Sequence, residues 1–548
     1  MSRMLMGLSK IGNLCPLSIA MRGKSCTAVL AVFLFFLLFS SVVFANGITL
    51  SNVSVVGWDT TAHTAQVKFD ITWNNAWRDS TNYDAAWVFI KYSTDAGATW
   101  NHATLAHQGH KCTSGIEIVL PTEPVTGYKG AFIQFSASVS SPTTLTANGT
   151  KFVWDYGTDG LTDNQAKDST NTLVKVFGIE MVYIPTGSFY IGDGNGSSES
   201  SYAFHEVGHD NTAAQITTSS KNITVDSNSD DDIDTTPVAV SGATGITGNV
   251  SWPTGYNAFY LMKYELSQGQ YVDFLNTLRR NWQQTRVVSN ISGSNVTNYY
   301  VMTNTSSIQY RNTIQCPSSG NGTTNPIVFS TGSRDSRAVG YLSWPDVMAY
   351  ADWASLRPMT ELEYEKAARG PSSAVYGEYA WGSTSITQCT TISGTENGTE
   401  ICTTSNANSN YTGTTFSGGD GGQGALRVGI FATSSTTTRA ASGAGYYGNM
   451  DLTGSIWERC VTLGNATGRA FQGTHGDGVL ASPGNADVVD WPGYSSGAVT
   501  GATGTGFHGG AWDNLGSAAQ VSNRVIAANV QYADRFGSWG GRLARTAK

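Results

Sequence analysis

The chain has 548 residues, enough for two or three domains with ample core material. Only 13% of residues are charged, while Gly numbers 62 and Trp 15, so loops of Gly, Ser, Thr and Asn must be held by aromatic packing, a composition that suits an extracellular β-rich protein. A formal charge of −8 with no basic cluster argues against a nucleic-acid partner.

Arg3, Lys10, Arg22 and Lys24 precede an apolar run from Ala28 to Phe39, and a Val43-Phe44-Ala45 site follows, so residues 1–45 read as a secretory signal with a long basic lead. An uncleaved membrane anchor is the rival reading, since Ala28 to Ala45 approaches the shortest span of a bilayer. Either one predicts a secreted or cell-surface product. Of the cysteines beyond that point, Cys389 and Cys402 bracket a polar loop that a disulfide would close for ~3 kcal/mol. No cysteine pair has metal-knuckle spacing.

Residues 47–155 alternate apolar and polar side chains in runs starting at Ile48, Ala65, Ala86 and Ala131, which predicts a small all-β sandwich standing as a separate stalk. His102, His107 and His110 lie close together but lack acidic companions, so they are expected to be solvated. Residues 156–175 read as a linker, and Val176 to Gly192 as a hairpin turning at Pro185-Thr-Gly187. Ser197 to Asp234 is a low-complexity loop whose run of aspartates lacks the Gly and Glu of an EF-hand, so a solvated acidic loop is expected.

Asn257 to Leu266 is predicted as a strand, and Ser267 with Gln270 as a capping box opening a helix to Leu278. Thr285 to Thr331 is a polar insertion carrying Tyr299, Tyr300 and Tyr310. The most structured stretch is Ser343 to Gly370. Ser343 with Asp346 and Thr360 with Glu363 are two further capping boxes, Pro358 interrupts, and Gly370-Pro371 terminates, giving two short helices joined by a Leu356-Arg-Pro-Met359 turn. Gly370 is expected in the left-handed helical conformation.

That stretch, with Tyr379-Ala-Trp-Gly382, Ala407-Asn408, Arg427-Val-Gly-Ile-Phe431, Asp451-Leu-Thr-Gly-Ser-Ile-Trp-Glu-Arg459, Phe507-His-Gly-Gly-Ala-Trp512 and Gly540-Gly-Arg-Leu-Ala-Arg545, resembles the formylglycine-generating-enzyme or sulfatase-modifying-factor family. The resemblance spans Val176 to Arg545 and implies an α+β, C-type-lectin-like fold over 176–548, preceded by the sandwich. It also implies structural calcium, with Asn408 and Asp451 as ligand positions. Ser455 and Arg459 stand where relatives carry Asn and Trp.

Catalytic relatives hold copper on a cysteine pair near the carboxyl end and oxidise a substrate cysteine. From Asp513 to Lys548 this chain has no cysteine, and copper(I) needs soft thiolates, so copper is not expected. His508 is the only near-neutral titratable group of that end, too little for catalysis. The end instead sets Asp513, Leu515, Val525, Ile526, Val530, Tyr532, Asp534 and Phe536 on a frame of Gly, Ala, Ser, Asn and Arg. This resembles the variable region of diversity-generating-retroelement target proteins, which use the same fold. The expectation is a non-catalytic protein binding a protein or glycan outside the cell through residues 507–545, with His508 and Trp512 beside those eight and Trp512, Arg524 and Arg542 holding the face. The alternative is an oxidoreductase of the formylglycine-generating type.

Overall fold

In the computed structural model the described residues are 43–45, 47–122, 127–194, 251–433, 436–527 and 532–548, with short pieces between 203 and 245. The leader, except for Val43–Ala45, lies outside the described residues, as does the aspartate run from Asp226 to Asp232. No described helix is long and apolar enough to cross a membrane.

The architecture is α+β, as expected. Ile48–Asp59, Thr64–Ala76 and Thr143–Asp155 form an antiparallel sheet with Val43–Ala45 at one edge. Alternate residues of this sheet, such as Val67, Phe69, Ile71 and Trp73, are buried against Val88, Ile90 and Ile133 of a second sheet, because period-2 patterning gives each strand one apolar face.

The second sheet corrects the expected separation of stalk and domain. It has eight strands. Arg357–Pro358, Leu543–Thr546, Phe259–Met262 and Leu173–Ile184 run straight into Tyr83–Ser93, Ala131–Phe135 and Ile116–Val119, with Asn101–His102 on one flank. Tyr83–Ser93 pairs with Leu173–Ile184 over its whole length. The segment expected as a linker therefore ends in a central strand, and the sandwich shares its inner sheet with the carboxyl-terminal half. The Trp87 indole donates to Ala354 O at 2.8 Å, at the end of a helix from that half.

The capping boxes at Ser267, Ser343 and Thr360 are formed, and the helices run Gln268–Leu275, Trp344–Trp353 and Glu361–Arg369. Between the last two, Arg357–Pro358 is a short edge strand on Leu543–Thr546 rather than a free turn. Gly370 has φ 67° but ψ −149°, so it is left-handed without the helical ψ that a Gly cap adopts. The hairpin expected at Pro185 is absent. Phe189–Ile191 pairs with Ala214–Ile216 instead. Cys389 and Cys402 are disulfide-bonded, while Cys316 and Cys460 are buried free thiols and Cys112 is partly exposed.

Candidate functional site: the carboxyl-end face

The face stands on a three-stranded sheet. Trp457–Val461 pairs antiparallel with Thr505–His508 and parallel with Trp539–Gly541. After His508 the chain turns through Gly509 and Gly510, at φ 91° and 69°. A Cβ on Gly510 would come within 2.7 Å of Ala519, so this double glycine is a steric requirement. Trp512 then docks, its N–H donating to Ser455 O at 2.8 Å and its indole to Gly537 O at 3.3 Å.

Four arginines point inward from or toward this region. Arg524 meets Glu361 at 2.7 Å with both side chains fully buried, and its guanidinium lies over Phe204 at 4.0 Å. Arg542 meets Glu458 at 2.6 Å and donates to the carbonyls of Met262, Lys263 and Met450. Arg535 forks onto both oxygens of Asp346, at 2.5 and 2.7 Å, and reaches the carbonyls of Thr285 and Val287. Arg459 lies on Phe507 and Trp539 and donates to Tyr532 O at 2.8 Å and Asp534 O at 3.1 Å. Burial pulls its guanidinium down to about 9. Charge-assisted bonds of this kind are each worth ~1.5–3 kcal/mol, so the loop backbone is firmly held.

The remaining side chains divide. Asp513, Leu515, Val525, Tyr532, Asp534 and Phe536 are exposed, Leu515 by 73%. Tyr532 and Phe536 lie on Trp539, at 5.4 and 4.4 Å between ring centres. Although Asp513 is exposed as a residue, its carboxyl is partly shielded from water, and that desolvation raises it against a hydrogen bond from Ser538. Ile526 is half-buried beside Phe507 and Trp457, and Val530 lies outside the described residues.

Two expected contact residues do not reach the surface. Trp512 is 4% exposed and serves the frame. His508 is fully buried because its strand is covered on both faces. It stacks on Tyr364 at 4.6 Å, with Nε2 3.6 Å from Glu361, and burial lowers its pKa against the pull of Glu361.

One contributor was not expected. Tyr310, from the polar insertion, is 45% exposed and lies 5.1 Å from the Trp512 ring. Tyr310 and the next residue, Arg311, both have positive φ, 47° and 62°, which bulky residues rarely adopt without support. Arg311 supplies the support through Glu396 and Asp420. Only the tyrosine-rich composition of the insertion hinted at this.

The donors of the face are carboxylates, amides and carbonyls, so a copper(I) centre does not fit. Asn408 Oδ1 accepts from Thr387 N–H at 2.9 Å and Asp451 Oδ2 from Gly429 N–H at 2.6 Å. Burial raises Asp451, and the Glu265 and Glu458 carboxylates and the Arg542 guanidinium act on one another electrostatically with it. Of the three histidines expected to be solvated, only His107 is exposed, meeting Tyr128 edge-on; His102 is buried and stacked on Phe89, and the half-buried His110 accepts from Val153 N–H through Nδ1.

No curated protein matches this chain. The model of the sulfatase-modifying factor enzyme 1-like domain matches residues 169–547, more than two-thirds of the sequence and all of the face. It begins just before Leu173–Ile184, the strand that joins the two halves of the large sheet. The chain is a member of the sulfatase-modifying factor family.

Proposed function

We propose that this family member is a non-catalytic recognition protein, secreted or held at the cell surface, that binds a protein or glycan through its carboxyl-end face. One observation carries the reading. Six exposed side chains of mixed chemistry, Asp513, Leu515, Val525, Tyr532, Asp534 and Phe536, ride on backbone fixed from beneath, and the sequence there has no thiol to support copper chemistry. The same arrangement supports the reading that the end is diversified by adenine-directed mutagenesis.

Calcium as a structural ion belongs to the same proposal. Asn408 and Asp451 are the positions that the resemblance implies, and Oε2 of Glu265 and of Glu458, which act on Asp451 electrostatically, has no hydrogen-bond partner. Hard carboxylate oxygens suit that ion.

The test is to immobilise the full chain and probe it with a panel of glycans and extracellular proteins. The Tyr532→Ala, Phe536→Ala double variant is expected to lose the captured ligand while staying folded, with a cooperative melt. Copper-dependent oxidation of a cysteine peptide by the parent would overturn the reading. For diversification, neighbouring DNA is expected to carry a near-copy of the last stretch that differs at adenines.

A further inference from the structure

Away from this face, a lysine and two acids are buried where the amino-terminal strands meet the family domain. Asp84, Glu180 and Lys263 lie on or just beyond three neighbouring strands, Tyr83–Ser93, Leu173–Ile184 and Phe259–Met262. In register, Asp84 faces Val182, Ala86 faces Glu180, and Lys263 N–H donates to Glu180 O at 2.9 Å. Residues two apart share a sheet face, so the three side chains converge on one side.

Their exposures are 0%, 2% and 3%. Lys263 Nζ bonds Glu180 Oε1 and lies 3.3 Å from Asp84 Oδ2. Asp84 Oδ1 accepts from the backbone N–H of Trp77 at 3.1 Å, and Oδ2 accepts from the Trp73 indole at 3.3 Å. The rings of Trp77 and Tyr264 lie 4.8 and 5.5 Å from Nζ. A primary amine, a carboxyl carbon and a second acid bonded to the amine are thus held together in a dry aromatic surround.

We propose that Lys263 and Asp84 condense to an intramolecular amide, with Glu180 carrying the protons. Glu180 takes a proton from Nζ and passes it to Oδ2 of Asp84, so that the freed amine lone pair meets a neutral carboxyl and attacks Cγ. The new C–N bond places negative charge on Oδ1, which the Trp77 N–H stabilises as an oxyanion-hole donor would. Glu180 then carries a second Nζ proton to Oδ2, the C–Oδ2 bond breaks, and one water departs. The amide nitrogen keeps the third proton, Glu180 ends as it began, and nothing is oxidised or reduced.

Three physical facts support the direction. The reactants are already in contact, which removes the entropy cost of meeting. Condensation turns a buried ammonium and carboxylate into a neutral amide, relieving their desolvation. Burial also raises Glu180 to about 8, which suits it to hold and release protons near neutrality. Glu180 Oε1 and Asp84 Oδ2 both lie against Nζ and hold its proton in place, so the first transfer is the slow step and the link forms as a maturation of the folded protein. The bond would tie Asp84, outside the family match, to Lys263 within it.

Intact mass of the purified, reduced full chain tests this directly. The mass is expected to be lower by one water than the sequence requires, and a digest is expected to yield a branched peptide joining the Asp84 and Lys263 segments. The full sequence mass with two linear peptides, or a water loss that maps elsewhere, overturns the proposal. Glu180→Gln is expected to slow linking at least ~100-fold, and linking at the parental rate would remove Glu180 from the reaction. Should that variant not fold, the parental mass still decides.

Discussion

Replacing Arg524 with Met tests the frame at its deepest point. Glu361 Oε2 receives Arg524 Nε at 2.7 Å, and its other oxygen receives the Leu463 N–H, the Thr462 hydroxyl at 3.1 Å and Arg524 Nη2 at 3.3 Å. Burial alone would raise this carboxyl. Arg524, with help from His508, instead holds it at about 2 against an ordinary 4.5. That drop corresponds to ~3 kcal/mol of attraction, in line with the ~3–5 kcal/mol lost when one partner of a buried ion pair is removed.

The Arg524→Met loss should depend on pH. In the parent, the stability from Glu361 is present above the ordinary carboxyl range and is lost as pH falls toward about 2. In the variant the arginine no longer opposes protonation of His508, so the folded imidazole pKa, held down by burial and by Arg524 in the parent, moves up toward its unfolded value of ~6.5. The cost of charging this buried imidazole, felt only below the unfolded pKa, is therefore smaller in the variant than in the parent. Urea midpoints followed by tryptophan fluorescence should therefore show a loss smaller by ~1 kcal/mol at about pH 5.5 than at about pH 8. A parental midpoint, or a loss equal at both pH values, would refute the argument.

Tyr532→Ala with Phe536→Ala should lower stability by no more than ~1.5 kcal/mol, since both rings are about half exposed and lose only their contact with Trp539; thermal melts check this. Cys389→Ser opens a loop of sequence separation 13 and should cost ~3 kcal/mol, an effect that reductant reproduces in the parent. Saturating calcium should raise the melting temperature, by an amount equivalent to ~2.7 kcal/mol at a hundredfold excess over Kd, and Asp451→Asn should abolish the rise. A melt unmoved by calcium would remove the ion from the proposal.

Local chemistry was legible in the sequence, while strand neighbours were not. Ser343 with Asp346 and Thr360 with Glu363 set helix starts through bonds three residues long, which is why both helices begin as expected. The partner of Leu173–Ile184 is set by burial across ninety residues of chain, and alternation reveals a strand's face but not its neighbour. One signal was present. Ala85-Ala-Trp-Val-Phe-Ile90 is an unbroken apolar run, as expected of a strand covered on both sides and not of a stalk open to water. At the face, six of the side chains singled out in the sequence are exposed and Ile526 is half-buried, whereas His508 is buried, because spacing cannot tell that both sides of its strand are covered. Arg459 read as the loss of a tryptophan, and its grip on the Tyr532 loop appears only in three dimensions.

The way Arg459 holds that loop has an evolutionary consequence. It grasps main-chain oxygens, which every amino acid possesses, and leaves the side chains of Tyr532 and Asp534 outside the bond. Substitution at either position therefore leaves the anchoring chemistry intact, and the segment can accept new residues without renegotiating its shape. Mutational tolerance here comes from which atoms are gripped and does not require slack in the chain.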